Sequence, residues 1–166
     1  YAATANTTGA QNVSIGQASM RSNTTGSYNV AIGREAMQDN TTASYNTAVG
    51  NRALADVTTG GDNTAVGYHA LTASTTGHSN TVVGKLAGAA ITTGAENTLM
   101  GERSGDAITT ASNITGIGHK ALSALTTARI INAKGVIEIF SPVYKSLNDF
   151  LNCSISVISA SSCCVT

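Results

Sequence analysis

The chain repeats itself every 17 residues. Pairs of threonines begin at Thr7, Thr24, Thr41, Thr58, Thr75, Thr92, Thr109 and Thr126, with no insertion or deletion between them. In that register the units read TTGSYNVAIGREAMQDN (Thr24–Asn40), then TTASYNTAVGNRALADV, then TTGGDNTAVGYHALTAS. An unbroken short period from Thr7 to about Leu125 is the signature of a repeat architecture, in which each unit buries its apolar face only against its neighbours. An ordinary compact enzyme domain is not expected from such a sequence.

Seventeen residues are too few for a helical-hairpin repeat, and Gly, Asn and paired β-branched Thr are weak helix formers. Each unit instead holds a short run such as Asn-Thr-Ala-Val-Gly and a second such as Ala-Leu-Thr-Ala, bounded by turn residues. Short strands between Gly and Asn turns at a fixed small period predict an all-β fold, a parallel β-solenoid of about seven 17-residue coils. At about 4.8 Å per coil the rod would be roughly 34 Å long. Composition agrees. Aromatics are 4% of residues and Trp is absent, leaving little to fill a wide core, while 42% hydrophobic residues set the chain apart from disordered sequences.

Three columns carry most of the pattern. Counted from the first Thr of each unit, the tenth position is always Gly: Gly16, Gly33, Gly50, Gly67, Gly84, Gly101 and Gly118. Such a column predicts a corner that needs positive φ or close approach of the next coil. The sixth position is Asn12, Asn29, Asn46, Asn63, Asn80 and Asn97, with Ile114 the exception. It predicts a ladder of amides that bond one another and satisfy turn backbone groups. Both columns read as turn chemistry rather than as a ligand site. Around the ninth position (Ile15, Ile32, Val49, Val66, Val83, Met100, Ile117), alternation puts positions seven and nine on one strand face and position eight (Ala31, Ala48, Ala65, Val82, Leu99) on the other. Both faces are apolar, a narrow coil buries one, and the other calls for a partner chain. Small Ala side chains are expected to let that partner approach closely.

The runs Asn29-Val-Ala-Ile-Gly33, Asn46-Thr-Ala-Val-Gly50 and Asn63-Thr-Ala-Val-Gly67 resemble the Asn-Ser-Val-Ala-Ile-Gly core of the YadA-like head repeats of trimeric autotransporter adhesins. The longer unit TTGxxNTAVGxxAL is similar to repeats of bacteriophage tail fibres, notably those of cyanophages. The resemblance implies a left-handed β-roll, a homotrimer around an axis, and a role in adhesion or attachment. The unit is longer than the head repeat of the bacterial adhesins, and no coiled-coil stalk, anchor barrel or self-cleaving chaperone pattern accompanies it.

Past Ala128 the period stops, dividing a repeat region (1–128) from a C-terminal segment (129–166) that holds the only Pro, both Phe and all three Cys. Gly135–Phe140 reads as a strand, Ser141-Pro142 opens a short helix through about Leu151, and Ile155–Ala160 reads as another strand. A small α+β cap over an open last coil is one expectation and a connector to another subunit is the alternative. Cys153, Cys163 and Cys164 cannot all pair within one chain. They are read either as free thiols or, for Cys163 and Cys164, as staples between chains in an oxidising setting. The start at Tyr1 rather than Met points to a processed product or a piece of a longer chain.

Catalytic chemistry is not legible. Gly116-Ile-Gly-His-Lys-Ala121 matches a dinucleotide fingerprint only because it is the seventh copy of the repeat, with no helix or βαβ context. His69, His78 and His119 have no second ligand at metal spacing, and no G-x-S-x-G elbow exists. The N-x-S/T sequons at Asn6, Asn12, Asn23, Asn40, Asn113 and Asn152 follow from a sequence rich in Asn and Thr. No cofactor, no metal and no enzyme activity are expected. Nine basic and nine acidic residues cancel, leaving no electrostatic footprint for nucleic acid. The longest apolar runs, such as Ala87–Ile91, are far shorter than the ~18 residues of a membrane span.

Positions eleven and twelve vary freely and hold most of the repeat's charge: Arg34, Glu35, Arg52, His69, Lys85, Glu102, Arg103 and Lys120. They predict an outward stripe, either a solvated face or a receptor-contacting ridge suited to multivalent binding. The leading expectation is an extracellular shaft with an attachment role, from a virion tail fibre or a cell-surface appendage, binding a glycan or protein receptor. A self-assembling structural filament is the first alternative. Binding to an ordered surface such as ice, through the Thr-Thr columns, is the second.

Overall fold

Positions seven to nine set a β-branched residue on either side of a smaller one in most units, and there each coil forms its strand. A computed structural model describes residues 1–126. It contains seven three-residue strands: β1 (Val13–Ile15), β2 (Val30–Ile32), β3 (Thr47–Val49), β4 (Thr64–Val66), β5 (Thr81–Val83), β6 (Thr98–Met100) and β7 (Thr115–Ile117). They form one parallel sheet in chain order, and every pairing is offset by one repeat, as in Thr47↔Thr64 and Val49↔Val66. The protein is a parallel β-solenoid with no helix among the described residues. The C-terminal cap, its helix and strands and the three cysteines lie outside the described residues.

The inter-coil ladder runs far beyond the strands. Within the sheet, the Thr47 N–H donates to Asn63 O and the Gly50 N–H to Ile32 O, both at 2.8 Å. In the turns, the Glu35 N–H donates to Gln17 O at 2.8 Å and the Met37 N–H to Ala53 O at 3.1 Å. At the repeat boundary, the first Thr of each unit adds a side-chain bond, as Thr41 Oγ1 donates to Thr58 O at 2.9 Å. Most turn backbone is thereby paired to the coil above or below, which is what lets a coil with so little strand persist.

The second run of each unit is not a strand. Across it the backbone enters the left-handed region at alternate residues, for example Arg52 (φ 54°) and Leu54 (φ 51°), or Glu35 (φ 58°) and Met37 (φ 48°). Alternating handedness folds these residues into compact turns and swings position fourteen inward. Leu54, Leu71, Met20 and Met37 are all fully buried as a result. Fully burying such a side chain contributes roughly 1.5–3 kcal/mol, enough to offset the strain of a non-glycine residue at positive φ.

The core lies inside the coil, between position eight of the strand and position fourteen of the opposite turn, and the two match in volume. Small Ala31, Ala48 and Ala65 face Met37, Leu54 and Leu71, whereas larger Val82 and Leu99 face Gly88 and Gly105. At Gly105 a Cβ would come within 2.8 Å of Leu99 Cδ1 and 2.9 Å of Ile108 Cδ1, so the space is already filled. The Ala face of the strand is thus the inside of the coil, and not the surface offered to a partner. The expectation of a close Ala-lined approach between chains is corrected accordingly. The uncovered face is that of positions seven and nine.

Candidate functional site

The glycine column is a backbone contact in every described coil but the last. All seven glycines have φ between 126° and 139°. A Cβ on Gly16, Gly33, Gly50, Gly67, Gly84 or Gly101 would lie 2.4–2.6 Å from the carbonyl oxygen of the next glycine in the column. A Cβ on Gly118, in the last described coil, would meet nothing within 4 Å among the described residues. Both positive φ and close approach therefore act at this corner.

The sixth-position asparagines form a buried ladder. Asn63 donates from its backbone N–H to Asn46 Oδ1 at 2.9 Å, and from Nδ2 to the same oxygen at 3.1 Å and to Gly77 O at 2.9 Å. Asn80 repeats the arrangement on Asn63, and Asn97 on Asn80. Asn29 and Asn46 continue it downward to Asn12. Ile114 makes the last bond by donating its N–H to Asn97 Oδ1 at 3.0 Å, and its aliphatic side chain offers no acceptor to continue the ladder. These amides are spent on the fold and recognise nothing outside it.

A second ladder occupies position seventeen, a column the sequence reading passed over. Asn40 Nδ2 donates to Asn23 Oδ1 at 2.8 Å, and Asn23 Nδ2 to Asn6 Oδ1 at 2.9 Å. Above Asn40 the column becomes Val57, Ser74, Ile91 and Ile108, all buried. Ser74 Oγ has no hydrogen-bond partner. Comparing the last residue of each unit would have exposed this column. Burial of Asn23 and Asn40 also removes their sequons from solvent.

The charged stripe lies outside the coil, and much of it is self-paired. Glu35 sits against Arg34 and, at 3.5 Å, Arg52, with its side chain only 16% exposed. Arg52 also reaches Asp56 at 3.9 Å, and Lys85 reaches Glu102 at 3.2 Å. Burial raises Asp56 above its ordinary carboxylate value, with Asp39 adding and Arg52 opposing. Burial, then the Arg52 guanidinium, lowers His69 below the ordinary histidine value, while Asp56 and Glu35 pull it back. The hydrogen bond from Lys85, and then its charge, lower Glu102. His69 is half-buried, its ring 4.3 Å from that of Tyr68, while His78 and His119 are exposed. Arg103 and Lys120 are exposed at the upper end of the stripe.

The outer face of the sheet is the largest regular surface. Position seven presents Val13, Val30, Thr47, Thr64, Thr81, Thr98 and Thr115, and position nine presents Ile15, Ile32, Val49, Val66, Val83, Met100 and Ile117. All are partly or fully exposed, Ile15 at 58% and Ile117 at 62%. Beside the lower strands, exposed Tyr28 and Tyr45 stack with centroids 5.0 Å apart and planes within 6°. The five threonine hydroxyls of position seven carry no hydrogen bond to another described residue, unlike those at the first position of each unit, which bond the next coil.

Among the described residues no group of three or more His, Cys, Asp or Glu side chains is placed to hold a metal ion. No helix there is long and apolar enough to cross a membrane. Comparison with known proteins finds no matching family, no matching curated sequence and no matching solved structure.

Proposed function

We propose that this chain is a shaft segment of an extracellular homomeric fibre, of the tail-fibre or surface-adhesin kind, which holds and displays attachment surfaces rather than catalysing a reaction. The observation that carries the reading is the outer sheet face. Two columns of Val, Ile, Met and Thr run unbroken over β1–β7, and a contiguous apolar strip of this kind marks an interaction surface. A face repeated at a constant 17-residue register presents the same pattern to a second copy of itself, which favours self-association around a common axis. The resemblance to trimeric head repeats makes three copies the preferred number. Attachment to a cell-surface glycan or protein would then use the outward turns, where weak contacts repeated along the rod and multiplied by symmetry gain avidity.

Electron microscopy of the native source tests this reading. Short fibres on virions or bristles on cells support it, and long free filaments favour the structural-filament alternative. A binding assay on intact host cells adds the second arm, comparing the wild-type rod with a variant carrying Ala at Arg34, Arg52, Lys85 and Arg103. Loss of binding assigns contact to the stripe, equal binding dismisses the stripe, and no binding by either protein removes the attachment role.

A second reading has one specific observation behind it. Thr47, Thr64, Thr81, Thr98 and Thr115 stand in register on successive strands with unspent hydroxyls, an array suited to an ordered surface such as ice. The paired threonines that first suggested this reading serve it less well, because the first of each pair is tied to the next coil. Thermal hysteresis in dilute solution would favour this second reading, and its absence would remove it.

A further inference from the structure

The column at position seventeen divides the core into two chemically different halves. In the lower coils Asn6, Asn23 and Asn40 are joined by amide bonds, whereas from Val57 upward the column is aliphatic except for Ser74. Position eight is also polar at the lower end, where Ser14 Oγ donates to Ser19 O, whereas position thirteen is serine at both ends, with Ser19 Oγ donating to Ala31 O and Ser104 Oγ to Gly116 O. Higher up, position eight enlarges to Val82 and Leu99 as position fourteen shrinks from Met20, Met37, Leu54 and Leu71 to Gly88 and Gly105, so the uncompensated difference is the aliphatic Ile91 and Ile108 of position seventeen.

We propose that the solenoid opens locally from its N-terminal coils, with a boundary between Asn40 and Val57, while the C-terminal coils of the sheet stay closed. Amide bonds formed on folding replace bonds to water and contribute little net, whereas burying an aliphatic side chain gains in proportion to the apolar area removed from water. Coils whose position-seventeen column is filled by the first kind of contact open at lower free-energy cost than coils where it is filled by the second, and a stack in which each coil touches only its neighbours can open in part. The device is directional: the aliphatic half remains as a template on which the polar half closes again.

Native-state amide hydrogen exchange on the full-length protein, at one fixed concentration, tests this. The informative pair is Val30 and Thr98, because among the described residues β2 and β6 each lie one strand in from an end of the sheet, and the two amides make equivalent 2.8 Å bonds, to Asn46 O and Ile114 O. The Val30 amide should exchange at least tenfold faster than that of Thr98. Equal rates, or a slower Val30, would overturn the proposal. The double variant Asn23→Val/Asn40→Val extends the aliphatic column downward; it removes exposed Asn6's partner and one bond each from Gly26 O, Ala43 O and the Ala43 N–H, which keep Asn12, Asn29 and Thr58 O as partners. It should bring Val30 within threefold of Thr98, and an unchanged ratio would overturn the assignment to this column. If the double variant does not fold, the wild-type comparison decides alone.

Discussion

Replacing Gly67 with Ala tests the corner on which the stacking depends, and Gly118→Ala is its internal reference. The two glycines share the backbone conformation, with φ of 138° and 127°. They differ in surroundings: a Cβ on Gly67 meets Gly84 O at 2.6 Å and Gly84 C at 2.7 Å, and one on Gly118 meets nothing within 4 Å among the described residues. At Gly118 only the conformational strain of a side chain at positive φ applies, about 1–3 kcal/mol. At Gly67 the next coil must also retreat by about 0.8 Å to reach an ordinary contact of 3.4 Å. The Gly84 N–H to Val66 O bond at 2.8 Å and the Leu86 N–H to Tyr68 O bond at 2.9 Å, which join these two coils, would stretch past hydrogen-bonding range. Two backbone bonds at about 1 kcal/mol each bring the expected cost of Gly67→Ala to roughly 3–5 kcal/mol. The assay is urea unfolding of both variants at one protein concentration, compared at equal m-value. If Gly67→Ala destabilises no more than Gly118→Ala, the close coil-to-coil approach does not govern stability and the reasoning fails.

Three further outcomes follow from the same geometry. Asn63→Ala should cost about 2–4 kcal/mol in urea unfolding, because it strips Gly77 O and the Asn80 N–H of buried partners; a loss below about 0.5 kcal/mol would deny the ladder a structural role. Ser74→Val should stabilise by about 1–2 kcal/mol, since it replaces an unpartnered buried hydroxyl between Val57 and Ile91 by a matching aliphatic group, and a lower midpoint would contradict this. His69 has a folded-state pKa below its ordinary value, so the unfolded chain takes up the proton first. Its contribution is absent above the ordinary histidine value, and stability falls as pH drops from that value through the depressed folded one; His69→Asn should flatten the stability–pH curve in this window, and an unchanged curve would refute it.

How much was legible in the sequence depends on whether a residue's role is repeated in every coil. Gly67 stands in a column filled by one residue type and Asn63 in one broken only by Ile114, so their turn roles could be read from the period alone. The Ala-Leu-Thr-Ala run could not be placed so easily. Its apolar spacing fits a strand, but alternate left-handed residues such as Arg52 and Leu54 turn it into a corner, and intrinsic propensity does not flag non-glycine residues there. Inside and outside were confused for a related reason: Ala48 and Val49 are both apolar, and only the opposing Leu54 shows that Ala48 faces inward. The pairing of large with small across positions eight and fourteen would have settled this, because Gly88 and Gly105 appear only where Val82 and Leu99 are large. The burial of Glu35 between Arg34 and Arg52 needed coordinates, since neighbours one coil apart are 17 residues apart in sequence.

Self-association through the outer sheet face is the central claim, and the most direct measurement is mass in solution by sedimentation equilibrium. The wild-type protein should sediment as a discrete oligomer, at three times the 16.7 kDa of one chain. A variant with Thr64→Lys and Val66→Lys places charges on that face, away from the core, and should shift toward the monomer while keeping its β-sheet signal. A stable, folded wild-type monomer would contradict the account, as would a charged-face variant that stays fully associated.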